Sequence, residues 1–213
     1  MPTLREVVFS LGLIPLLTPT VAEAIAINFV PAEQRTTLDT LVSVALVISD
    51  IGHQTSPSVS TFDVDVSFRS DILTFVDATF GDPTLGDQLD LHGLGNNPSS
   101  EHVPNPGVVN LFELSLDTPS DLDMLQAGSF ILAIVSFRTS METLGTSPLI
   151  LTINELGGVN GERLSATSGS GQIVVASVDE SSTLGLLGTA LLLIGAARLS
   201  CRLICRGTYT QKP

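Results

Sequence analysis

Carboxylates are the residues here whose type and spacing could do chemistry. Asp82, Asp87 and Asp90 stand within ten residues, Gly81 to Asp90 (GDPTLGDQLD). Hard oxygen donors on a flexible loop suit Ca²⁺, although the spacing is not that of an EF-hand. These three are the candidate metal ligands, and ordinary solvation of an acidic loop is the other reading. Asp63 and Asp65 are two apart, so on a strand they share one face. Such a pair could serve as the acid and base of a glycosidase. Sites of that kind usually carry aromatic sugar platforms, yet the chain has no Trp and its one Tyr is Tyr209, in the tail.

The other reactive side chains lack partners at defined spacing. His53, His92 and His102 form no metal-ligand pattern. His92 and His102 share one loop, and nothing in their spacing demands contact. No G-x-S-x-G elbow and no G-x-x-x-x-G-K-[ST] phosphate loop occurs. Cys201 and Cys205 are four apart, on one face if a helix runs through them. Two cysteines cannot complete a zinc site alone. The sequence therefore assigns no catalytic residue and no cofactor besides the calcium candidate.

The elements that would position these residues read as strands. Phe62, Val64, Val66 and Phe68 alternate with Asp63, Asp65, Ser67 and Arg69, the pattern of a half-buried strand. Further strands are predicted over Leu41–Ser49, Ile72–Phe80, Val108–Leu116, Phe130–Thr139, Leu149–Leu156 and Gln172–Ser177, with Ile25–Val30 as a first one. One short helix is expected after a Thr118 cap, with Pro119 in its first turn. Leu122 and Leu125 would face inward, and Gly128 would end it. Residues 81–107 read as an extended loop, and 166–171 (ATSGSG) as a small-residue turn. About eight strands with Gly/Pro turns imply an all-β, jelly-roll-like two-sheet sandwich.

Composition agrees with that class. The 213 residues are 43% hydrophobic and 15% charged, with a net charge of −13. That argues against disorder and against nucleic-acid binding, which needs clustered Lys and Arg. Two cysteines so close together rule out a disulfide scaffold. Residues 27–180 hold 20 acids and only four bases, Arg35, Arg69, Arg138 and Arg163. Scattered acidity of that kind gives a solvated surface.

Both ends are apolar. Residues 1–26 read as a signal peptide: Arg5, then an uncharged run from Val7 to Val21, then small-x-small sites ending at Ala24 and Ala26. Ser181 to Ala197 is a second uncharged run, rich in Leu and Gly, with Arg198, Arg202 and Arg206 behind it. It reads as a transmembrane helix over about 183–200, with its basic end cytoplasmic.

The tail resembles the PEP-CTERM class of exported bacterial proteins. Val178, Glu180, Ser182 and Thr183 match that sorting motif, and Asp179 and Ser181 stand where the class has proline. An apolar helix and a basic cluster follow, as in the class. The resemblance implies recognition of the tail by an exosortase. Residues 27–177 resemble a cohesin-like domain through LVSVALVISDIG, FDVDVSFRSDILTFVDATFG, VVNLFELSL and FILAIVSFRT. Cohesins bind dockerin modules, and their fold is shared with carbohydrate-binding modules. The expectation is a non-enzymatic protein of the cell envelope or extracellular matrix, held at the membrane through its C-terminal helix. Its sandwich would bind a protein or polysaccharide partner. A carbohydrate-binding module and a secreted hydrolase are the alternatives.

Overall fold

Alternate apolar residues give each long strand one face that must leave water, and two such sheets bury those faces against each other. A computed structural model of the chain describes residues 24–177. Among these are β1 (Ala26–Val30), β2 (Glu33–Thr36), β3 (Leu41–Ser49), β4 (Val59–Ser67), β5 (Leu73–Phe80), β6 (Ser99–Asn105) and β7 (Val108–Leu114). After them come α1 (Pro119–Leu125), β8 (Phe130–Thr139), β9 (Gly145–Gly158), β10 (Thr167–Ser168) and β11 (Ser170–Val175). One sheet has the order β10-β1-β3-β8-β5 and the other β2-β11-β9-β4-β7-β6. The expected two-sheet sandwich with one short helix is the fold observed.

The core lies between the sheets. Val42, Val44, Leu46 and Ile48 of β3 meet Phe62, Val64 and Val66 of β4 there, all buried. Phe137 of β8 stacks edge-on against Phe68, with ring centroids 5.0 Å apart, and against Phe75 at 6.3 Å. Phe62 and Phe80 approach within 6.2 Å across the sandwich.

Both terminal segments change sheets. β1 leads into β2 of the other sheet, and β10 leads likewise into β11. The two segments run parallel, through Ala26↔Thr167 in one sheet and Gln172↔Glu33 in the other. Residue 24 and residue 177 therefore lie at opposite ends of the sandwich. The loop 81–98 and α1 belong to the end where β1 starts.

Three expectations are corrected. The stretch 81–107 is not loop throughout, because Ser99–Asn105 forms the edge strand β6 beside β7. Its residues are all exposed, so no apolar alternation marks it. Pro106 and Gly107 make the turn to β7; Gly107 has φ +85°, and a Cβ there would meet the Phe68 carbonyl at 2.6 Å. The segment 166–171 is likewise not just a turn but contains β10 and the start of β11. The helix keeps its Thr118 cap, which accepts from the Asp121 N–H at 3.2 Å. It ends at Gln126 rather than Gly128, and only Leu122 is buried, with Leu125 left 54% exposed. Gln126 turns inward instead. Its amide takes the Val59 N–H at 2.7 Å and donates to the carbonyls of Val59 and Gln88. Those bonds to the backbone anchor the helix end through Gln126.

The expected signal segment up to residue 23 lies outside the described residues. So do the sorting motif Val178, Glu180, Ser182 and Thr183, the 183–200 helix, and Arg198, Arg202 and Arg206. Among the described residues no helix is long and apolar enough to cross a membrane.

Candidate functional site: two sheet faces and an acidic loop

The outer face of the β1-β3-β8-β5 sheet is built from the residues that alternate with its core set. Val30, Ala45, Ile134 and Thr79 lie in one cross-strand row, and Asn28, Val47 and Ile131 in the next. Ser43, Ser136 and Asp77 follow, with the two serine hydroxyls 3.1 Å apart. The last row holds Leu41, Arg138 and Thr74. Charge on this face is limited to Asp77 and Arg138, and Arg138 is drawn to Asp39 at 3.2 Å. The face is thus small, hydroxylated and apolar. A partner could dehydrate it without stranding charge.

The opposite outer face follows the same period with other side chains. Asp63 and Asp65 of β4 stand beside Asn110 of β7, whose amide donates to Asp63 at 2.7 Å and to Asp65 at 2.8 Å. Asn154 of β9 adds a third bond, to Asp63 at 3.1 Å. The two carboxylates thus share an amide clasp on a sheet surface. The register sets Glu155 of β9 opposite Asp63.

The histidines do not meet. His53 accepts from the Gly128 N–H at 3.3 Å, while His102 sits on β6 opposite Asn110. His92 bonds to Asp117 at 2.8 Å, and that hydrogen bond, with the Asp117 charge, raises its pKa.

The acidic loop is ordered by its own carboxylates. Asp82 takes the N–H groups of Thr84 at 2.7 Å, Leu85 at 3.0 Å and Ile131 at 3.2 Å. Burial pushes the Asp82 carboxyl up, but those three donors outweigh it and hold the pKa low. Asp87 takes the Leu89 N–H at 2.9 Å, and Asp90 takes those of Leu94 at 2.9 Å and Gly95 at 2.6 Å. Among the described residues, no three His, Cys, Asp or Glu side chains are grouped as a metal site.

One residue of this region escaped the sequence reading. Glu113, on β7, points inward and is only 2% exposed. Burial pushes its carboxyl up to about 8, helped by a hydrogen bond with Asp87 and by the charges of Asp87 and Asp90, against a bond from Asn97. The available signal was register: in VVNLFELSL, Glu113 falls in phase with Val109 and Leu111, which are core residues.

Two grooves flank these features. One of about 330 Å³ lies beside α1, lined by Ser60, Thr61, Asp117, Glu155 and Gly158 among others. The second, about 210 Å³, is apolar and runs between Phe68, Phe75, Val103 and Pro106.

No protein-family model matches the sequence, and no curated protein does. Solved structures do resemble it. The cohesin CaCohA2 of Clostridium acetobutylicum is 19% identical with a TM-score of 0.55, the match covering 73% of this chain and 92% of that one. A non-cellulosomal cohesin from the hyperthermophilic archaeon Archaeoglobus fulgidus is 15% identical with a TM-score of 0.54, covering 76% and 97%. A type I cohesin–dockerin complex of Clostridium thermocellum gives 10% identity and a TM-score of 0.57, covering 72% and 100%. The described body of this chain has the β-sandwich fold of those cohesin domains.

Proposed function

We propose that the chain is a non-enzymatic, exported protein-binding protein whose sandwich docks a small protein module on the outer face of the β1-β3-β8-β5 sheet. The observation that carries this reading is that face itself. Val47, Ile131, Ile134 and Ala45 form a contiguous half-buried patch on regular strands, ringed by serine and threonine hydroxyls. Flat apolar centres with polar rims suit protein partners. Cohesins of the same fold occur in complexes with dockerins, and a dockerin-like module is the partner class this reading names. The chain has no Trp, and its one Tyr is in the tail, so neither of those rings is offered to a sugar by the sandwich. The amide-clasped Asp63 and Asp65 support a structural rather than hydrolytic role.

Export and anchoring complete the proposal. The signal peptide is removed, and the tail is recognised through Val178, Glu180, Ser182 and Thr183 by an exosortase or kept as a membrane span with Arg198, Arg202 and Arg206 inside. Cleavage after Ala24 leaves the fold whole. Cleavage after Ala26 would remove Ile25, whose carbonyl accepts the Thr167 N–H at 2.9 Å and whose side chain is buried. Residue 177, the last one described, lies at the end of the sandwich opposite the 81–98 loop.

The test is calorimetric titration of the full chain, in detergent, with a panel of dockerin modules. Binding to at least one, lost on Ile134→Asp at unchanged melting temperature, is the expected result. Binding indifferent to Ile134→Asp and Val47→Asp overturns the docking face. Binding to soluble polysaccharide and to no dockerin overturns the partner class.

A further inference from the structure

The described chain leaves the sandwich among exposed apolar residues. Ala176 donates to the Thr36 carbonyl at 2.9 Å, and Val175 stands opposite Gly145. The turn from β8 to β9 therefore borders the last described residues. In that turn the Ser140 hydroxyl takes the N–H groups of Glu142 at 3.2 Å and Thr143 at 3.1 Å, and the Ser140 carbonyl takes that of Asp39. So fixed, the turn leaves Met141 71% and Leu144 49% exposed. Leu41, opposite Arg138 at the start of β3, adds a third apolar side chain at 53%. Grouped at one tip, three such side chains mark a contact surface more than scattered ones do.

Charge separates the two ends. Arg35, Arg69 and Arg138 lie at this one, each paired with one acid, Glu33, Asp71 and Asp39. With Glu142 added, charge here nearly balances. The other end carries Asp82, Asp87 and Asp90 in the loop, and Asp121 and Asp123 on α1. An anionic lipid surface repels that end and admits this one.

Chain length sets the distance. Five residues, 178–182, separate the last described residue from the apolar segment at 183–200. Fully extended, they reach about 20 Å. With that segment in a bilayer, the tip stays within this reach of the lipid. Contacts too weak to bind alone are then made at high effective concentration.

We propose that this end of the sandwich, through Met141, Leu144 and Leu41, sits on the surface of a phospholipid bilayer, a placement that rests on the tail being kept as a membrane span. The three side chains enter the boundary between headgroups and acyl chains, and the arginines stay level with the phosphates. The domain then stands on its end. Val47, Ile131 and Ile134 lie further along the same strands, clear of the lipid.

The test places single tryptophans in a chain that has none. The full chain is reconstituted into phosphatidylcholine–phosphatidylglycerol vesicles with Met141→Trp, with Leu144→Trp or, at the opposite end, with Leu94→Trp. The first two should emit to the blue of Leu94→Trp and lose emission to lipids brominated high on the acyl chain. Leu94→Trp should lose none. In a Leu41→Trp chain, Met141→Asp together with Leu144→Asp should remove the quenching. Protein that floats with the vesicles while Met141→Trp and Leu144→Trp stay unquenched overturns the lipid contact and leaves the anchor standing. Quenching of Leu41→Trp that survives both aspartates also overturns it, as does equal quenching of Leu94→Trp. Protein that does not float with the vesicles overturns the anchored tail, and this contact with it.

Discussion

The two outer faces of the sandwich share a period and differ in chemistry. On β3 and β8 the residues turned outward include Ser43, Ala45, Val47, Ile131 and Ile134, with Arg138 at one end. On β4 and β7 they include Asp63, Asp65 and Asn110. The first face loses little when water leaves. The second holds two carboxylates whose solvation and amide clasp would have to be replaced. A strand pattern thus builds both sheets equally, and only the identity of the outward residues separates a surface fit for docking from one fit for solvent.

Five substitutions and one change of pH probe the molecule, in decreasing order of effect. The largest effect belongs to the core that both faces share. Phe137→Ala should destabilise by about 3–5 kcal/mol, because it empties the site where Phe68 and Phe75 meet. Denaturant titration measures it, and any binding lost there reports unfolding rather than a face.

The next effect is a pH dependence at the loop end. Glu113 titrates at about 8 in the folded chain, above its ordinary 4.5. Between those values the folded state keeps a proton that the unfolded state has released. Stability should therefore fall as pH rises from about 5 to 8, by on the order of a few kcal/mol. Glu113→Gln should flatten the melting-temperature profile over that window, and an unchanged slope would reassign the titration to another group.

Smaller again is the contrast between the faces themselves. Ile134→Asp should weaken dockerin binding by roughly thirtyfold, near 2 kcal/mol, with little change in melting temperature. Asp63→Ala on the other face should leave that affinity unaltered, and an equal loss from both would erase the distinction. The smallest effect is expected from Asn110→Ala, about 1 kcal/mol of stability through loss of the amide bonds to Asp63 and Asp65.

Period two in the sequence was enough to define β3 and β8 to the residue and β4, β5 and β7 within a few positions. These strands are half buried, and burial writes alternation into the chain. β6 and β2 left no such trace. Both are edge strands, β2 being polar and β6 wholly exposed, and they form because a neighbouring strand offers unpaired backbone groups. The acids at the loop end show the same division. Asp87 and Asp90 could be picked out because acids cluster in one short stretch. Register with Val109 and Leu111 marks Glu113 as inward-facing, but its place beside Asp87, 26 residues earlier in sequence, follows only when β7 folds beneath the loop.

Residue order therefore dictates the local features of this protein: which half-buried strands exist, which side of each is apolar, and the Thr118 cap. These depend on neighbours two to four positions away. The crossing of both terminal segments between sheets, the grouping of Val47, Ile131 and Ile134 into one face, and the burial of Glu113 against Asp87 arise only from long-range pairing. Backbone hydrogen bonds between distant strands place those side chains together, and no local propensity encodes that placement.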